Sequence, residues 1–257
     1  MKTDKLTIQV FPGSAELSRA AADLFASTAQ AAVSARGRFL AALSGGSTPR
    51  AMYEMMAKSP YRERLLWGKT LFFWGDERCV PPDDAESSYN QARTVWLAHV
   101  PVPEGNIFRI KGELGPHAAA EDYARQLKSV AKAGLDWPHF DLVLLGLGAD
   151  GHTASLFPGS ADTSGVATVA VTAHYQDRPA NRVSLTPEVF NSARSVIFLA
   201  TGAEKAQALA TTLTGAREPV KYPAQRIHPA GGNIWWLVDT AAASLLPEKI
   251  DGVVFHR

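Results

Sequence analysis

The stretch "FDLVLLGLGADGHTASLFPG", residues 140–159, carries the reading of the fold. Its opening run, 140–146, is nearly continuous in apolar residues rather than alternating, as suits a strand covered on both faces. The run then exits into glycines, Asp150 and His152. Four more runs of the same kind stand at "RFLAAL" (38–43), "TLFFWG" (70–75), "SVIFLAT" (195–201) and "NIWWLVD" (233–239). Helical patterns lie between them, over 14–35, 87–100, 116–133 and 201–213. In the first of these, Ser14 is the expected N-cap, and Leu17, Ala21, Leu24, Phe25 and Val33 share a side. Strand alternating with helix predicts an α/β fold with a mainly parallel sheet and helices on both faces. In such sheets ligands bind beyond the carboxyl ends of the strands. The C-terminal "GVVFHR" either closes the sheet or drapes over it.

Composition narrows the class. With 46% hydrophobic and 20% charged residues, the 257-residue chain has ample material for a core, and no repeat or linker divides it. A single domain over 1–257 is expected. A net charge of +1 argues against a protein built to bind nucleic acid or a membrane surface. No apolar run approaches the roughly 20 residues of a membrane helix, and the start lacks a secretory pattern. One cysteine, Cys79, fits a reducing cytoplasm. Nothing demands a partner chain, so a monomer is expected.

Four loops at strand ends carry polar chemistry. After 38–43 comes "LSGGSTPR": Gly45 and Gly46 allow a sharp turn, Thr48 reads as an N-cap and Pro49 as the first helical residue. Gly45, Gly46, Ser47 and Thr48 therefore form a candidate phosphate cradle at a helix start, although the P-loop pattern is absent. Without a ligand, the same residues make a plain strand-to-helix turn. After 70–75 come Asp76, Glu77 and Arg78, either a solvated charge cluster or part of a shared pocket. After 140–146 comes His152, flanked by glycines with Asp150 two residues away. None of the six other histidines has this setting. The fourth set is cationic: Arg182 in "NRVSLTPE", ahead of a Thr186–Pro187 helix start, and Lys205 in the first turns of the last helical pattern. A lysine there opposes the helix dipole unless an anion sits nearby.

Taken in order, "SGGSTP" (44–49), "GDERCVP" (75–81) with "SSYN" (87–90), "GLGADGHTASLFPG" (146–159), "RVSLTP" (182–187) and "TGAEKA" (201–206) resemble the 6-phosphogluconolactonases. That family shares its fold with glucosamine-6-phosphate isomerase. The resemblance covers nearly the whole chain. It implies a Rossmann-like fold, a sugar 6-phosphate held by the glycine loop and cations, a metal-free site without cofactor, and a place in the pentose phosphate pathway. In the isomerases a glutamate follows the histidine by five residues; here that position is Phe157, which disfavours aldose–ketose proton shuttling.

The residues suit hydrolysis of 6-phospho-D-glucono-1,5-lactone. A lactone is an activated ester, so one general base acting on water suffices. A histidine, with an unperturbed pKa of about 6.5, is the side chain for that task near neutrality. His152 is the expected base, with Asp150 and Asp76 orienting the ring or binding sugar hydroxyls. Gly45, Gly46, Ser47, Thr48, Arg78, Arg182 and Lys205 are expected to hold the phosphate. No Cys/His spacing suggests zinc, and no GxSxG elbow occurs. Cys79 as a nucleophile is a minor alternative. Two rival functions stand: a glucosamine-6-phosphate isomerase or deaminase, and a non-catalytic sugar-phosphate sensor. The sensor would need a DNA-binding segment, which the first 37 residues do not offer.

Overall fold

The computed structural model describes residues 5–160, 163–175, 177–250 and 252–256. In chain order the strands are β1 (Lys5–Phe11), β2 (Phe39–Leu43), β3 (Thr70–Trp74), β4 (Asp76–Arg78), β5 (Leu142–Gly146), β6 (Thr168–Thr172), β7 (Asn181–Leu185), β8 (Ser195–Ala200), β9 (Asn233–Asp239) and β10 (Val254–His256). The helices are α1 (Ser14–Arg36), α2 (Ser47–Met56), α3 (Tyr61–Arg64), α4 (Ser88–Val95), α5 (Pro116–Val130), α6 (Pro187–Asn191) and α7 (Ala206–Thr214). Seven strands form one parallel sheet in the order β10-β1-β9-β8-β5-β2-β3. The C-terminal segment thus closes the sheet, with Val254 beside Thr7.

All five predicted strands are present. β2 is buried at every position and β5 at four of five, as continuous apolar runs require. From β1 through β2 to β3 the chain steps across the sheet one way, and from β3 through β5 and β8 to β9 it steps back. Right-handed crossovers therefore put α1 and α2 on one face and α5, α6 and α7 on the other. The direction reverses between β2 and β5, so the loops that follow these two strands open a crevice at their carboxyl ends.

Several local expectations shift by a residue or two. Gly13, not Ser14, caps α1. Gly46, at φ 119, caps α2, so Thr48 and Pro49 lie inside its first turn, where a missing N–H costs nothing. α4 is shorter than 87–100 and is capped by Ser87, whose side chain accepts from the Asn90 N–H. Lys205 ends a 3-10 turn (Ala203–Lys205) ahead of α7. Thr186 and Pro187 start α6 as expected.

The larger correction concerns Asp76, Glu77 and Arg78, which lie in a strand rather than a loop. β4 pairs antiparallel with β7, and β7 with β6, making a second, three-stranded sheet. Gly75 joins the two sheets, donating to the Leu43 carbonyl and accepting from the Leu185 N–H, each at 2.8 Å. The sequence reading had no second sheet, because β6 and β7 are short and only partly apolar. Among the described residues, no helix is long and apolar enough to cross a membrane.

The core feeds directly into the crevice. Trp96 stacks on Tyr53 at 5.3 Å and meets Phe25 and Phe72 edge-on. The Tyr53 hydroxyl in turn donates to the Ser44 carbonyl (2.7 Å) and accepts from the Ser44 N–H (3.2 Å). Burial keeps that hydroxyl protonated, well above the usual tyrosine pKa. Tyr53→Phe should cost about 1–3 kcal/mol in urea unfolding, because two buried backbone groups lose their partner. An unchanged urea midpoint would show that the turn does not depend on this anchor.

Candidate active site

The crevice is a cleft of about 210 Å³ at the carboxyl ends of β2 and β5. Its lining takes in Gly45, Gly46, Ser47, Thr48, Asp76, Arg78, His152, Arg182 and Lys205. Asp150 stands just behind, bonded to His152.

His152 is held by its own turn. Its Nδ1 lies 2.6 Å from Asp150 Oδ1, and its backbone N–H donates to the same oxygen at 3.1 Å. The Gly148 N–H closes the turn onto the His152 carbonyl at 2.8 Å. A Cβ on Gly148 would fall inside the imidazole and against the Asp150 carboxylate, so only glycine fits there. Desolvation pushes the Asp150 carboxyl upward, but the hydrogen bonds and charge of His152 outweigh it, and its pKa lies below the ordinary aspartate value. An ionised carboxylate at Nδ1 places the ring proton there and leaves Nε2 with the lone pair.

Aromatic rings fix the other sides of the imidazole. Phe157, the position of the isomerase glutamate, lies 4.5 Å from it and Tyr175 meets it edge-on at 4.8 Å. The Arg182 guanidinium sits over the far ring of this group, 5.4 Å from the Phe157 centroid.

The cations come from the second sheet. Register places Arg78 opposite Arg182 and Asp76 opposite Ser184. In an antiparallel pair, opposed residues point to the same face, so both guanidiniums and Asp76 turn toward the cleft. Arg78 is 8% exposed and donates to the Glu86 carbonyl at 2.5 Å, while Arg182 is 3% exposed and donates to the Pro179 carbonyl at 3.2 Å. The Arg78 Nε and one Arg182 Nη are buried without a partner among the described residues. Burial, and then the charge of Arg78, hold the Arg182 pKa below the usual arginine value. Two desolvated cations with spare donors, side by side, have the chemistry to hold an anion. Asp76 accepts from the buried Ser155 hydroxyl at 2.6 Å.

The glycine loop is braced from three directions. Gly46 donates to Gln91 Oε1 at 2.9 Å, Gly45 packs against Ser88, and Thr48 shares a 2.9 Å hydrogen bond with Thr201. The last bond ties the loop to the segment that carries Lys205.

Ser44, Ser88, Tyr175, Arg178 and Thr201 also line the cleft and were not singled out from the sequence. Ser88 sits in the "SSYN" motif and was within reach; Tyr175 and Arg178 lie in a polar stretch without periodicity. Glu77 was missed in another way. Buried at 2% exposure, it accepts from the N–H groups of Arg78, Ser88 and Tyr89 and from the Ser87 hydroxyl, pinning α4 to β4. Burial raises its pKa despite those donors. Cys79 is half-buried, and burial with the Glu77 charge pushes its thiol up to about 11, so it is a poor nucleophile. Among the described residues, no group of three His, Cys, Asp or Glu is placed to hold a metal ion.

A sequence model of the family described as "Glucosamine-6-phosphate isomerases/6-phosphogluconolactonase" matches residues 12–236. The chain is similar to 6-phosphogluconolactonase of Homo sapiens, 42% identical over 243 residues that cover 93% of each chain. It is also similar to 6-phosphogluconolactonase of Haemophilus influenzae, 39% identical over 204 residues, 79% of this chain and 86% of that one. The solved structure of 6-phosphogluconolactonase from Trypanosoma brucei matches it with a TM-score of 0.83 at 33% identity, covering 95% of this chain and all of that one.

Proposed function

Since the chain belongs to the glucosamine-6-phosphate isomerase/6-phosphogluconolactonase family and is a lactonase of it, we propose that His152 is the general base that hydrolyses 6-phospho-D-glucono-1,5-lactone. One observation carries the reading: Asp150 holds Nδ1, leaving Nε2 as the proton acceptor beside a cleft with two unpartnered guanidinium donors. Nε2 takes a proton from a water whose oxygen attacks C1. The C1–ring oxygen bond then breaks, and the same proton passes to the departing alkoxide. Backbone N–H groups of the glycine-rich turns are the candidate donors to the carbonyl oxygen as it gains charge. Asp76 and Asp150 serve as binding and orienting groups.

Arg78, Arg182, Lys205 and the loop Gly45, Gly46, Ser47 and Thr48 hold the 6-phosphate. Its anchoring is positional: a misplacement of about 1 Å costs roughly 10²-fold in rate. The chemistry needs no cofactor, since the lactone carbonyl is already activated. We read the whole chain as a single sugar-phosphate lactonase domain, acting as a cytoplasmic monomer on a small molecule, without nucleic acid. Phe157 against the imidazole removes the acid that an isomerase uses, so the ring has a single proton to carry.

Two substrates test this. Acid release from freshly made 6-phosphogluconolactone should exceed the spontaneous rate, and glucosamine 6-phosphate should yield no ammonia. Ammonia release without lactone hydrolysis would make the chain an isomerase-type enzyme instead.

A further inference from the structure

A second cavity, of about 320 Å³, opens on the other edge of the large sheet, where β2, β5 and β8 begin. Cations reach it from separate segments: Arg36 at the end of α1, Arg38 before β2, Lys132 beyond α5 and Arg194 before β8. His139 adds an imidazole, and Leu135 with Pro138 forms an apolar wall. On the floor lies Asp141, 4% exposed. Its Oδ1 meets Arg36 Nε at 2.8 Å and Arg194 Nε at 3.4 Å, and its Oδ2 accepts from the Leu40 N–H at 2.9 Å. Among the described residues it is the one carboxylate within ion-pair distance of these cations, so four cations against one anion leave an excess of three positive charges.

That imbalance is local. Elsewhere on the surface Arg50, Arg64, Arg109 and Lys128 each meet a carboxylate of their own. Arg36 and Arg194 share the single carboxylate and Arg38 donates only to the Val130 carbonyl at 3.1 Å, so the cations repel one another and a concave low-dielectric wall concentrates their field. Guanidinium forks suit phosphate oxygens in pairs.

We propose that this cavity is a second anion site, independent of the catalytic cleft, which takes a diphosphate group either free or carried by a nucleoside. Calorimetric titration of the intact protein with pyrophosphate at low salt should give saturable binding that weakens as salt rises. In the double variant R38A/K132A the Kd should rise at least tenfold while lactone hydrolysis is unchanged. In R182A, which alters only the cleft, the pyrophosphate Kd should stay within twofold of wild type. Titration with ADP separates the sources: binding as tight as pyrophosphate or tighter points to a nucleotide against the Leu135 wall, and exclusion of ADP to the free diphosphate. Absence of saturable pyrophosphate binding overturns the proposal. So does binding that R38A/K132A leaves intact or that R182A abolishes.

Discussion

His152→Ala should lower kcat for 6-phosphogluconolactone hydrolysis by roughly 10²–10⁴-fold, the range removed with a general base. KM should move little, because the phosphate is gripped by Arg78, Arg182 and the glycine loop rather than by the ring. The imidazole borders an open cleft, so its loss leaves a gap that water fills and the fold survives. Asp150, held below the ordinary aspartate value, stays ionised near neutrality and keeps the ring proton on Nδ1. Initial rates of acid release, corrected for spontaneous hydrolysis, are the measurement. A folded variant with near-wild-type kcat would remove His152 from the mechanism.

Arg182→Ala should reduce kcat/KM for the phosphorylated lactone by about 10–150-fold, the equivalent of losing charge-assisted hydrogen bonds worth roughly 1.5–3 kcal/mol. On unphosphorylated glucono-1,5-lactone the same change should stay within about threefold. The asymmetry follows from where the residue sits: opposite Arg78, lining the cleft, with a buried Nη that has no partner among the described residues. Any loss of stability should be small, since the variant relieves a desolvated like-charge pair at the expense of one hydrogen bond to Pro179 and the contact with the Phe157 ring. Equal losses on both lactones would assign Arg182 to the integrity of the small sheet instead of to phosphate.

These two residues differ in how far the sequence exposed them. His152 stands out because most of what orients it lies within a few residues: the apolar run of β5, Gly148 beneath the ring, Asp150 on Nδ1 and Phe157 on its face; Tyr175 comes from farther along the chain. Arg182 stands in a polar stretch with a bland alternative as a solvated surface charge. Its meaning comes from Arg78, which reaches it only through the β4–β7 pairing. Asp76–Arg78 was read as a loop for the same cause. A three-residue strand has too little pattern to announce itself, and its partner strand is remote in the chain. Thr48 was taken as a cap because hydroxyl residues favour that position; in the fold, Gly46 adopts the φ that the turn requires and Thr48 is free to bind Thr201.

Short-range information, then, settled five of the seven strands of the large sheet, the alternation with helices, the placing of the glycine loops at strand ends and the setting of His152 among glycines with an aspartate two residues away. Hydrophobic burial and backbone sterics act over a few residues, so they are written locally. The second sheet, the facing guanidiniums, the seating of Glu77 under α4 and the charged cavity at the opposite sheet edge emerged from folding alone. Each depends on register between distant strands and on the desolvation that follows, and those energies exist only once the chain has closed on itself.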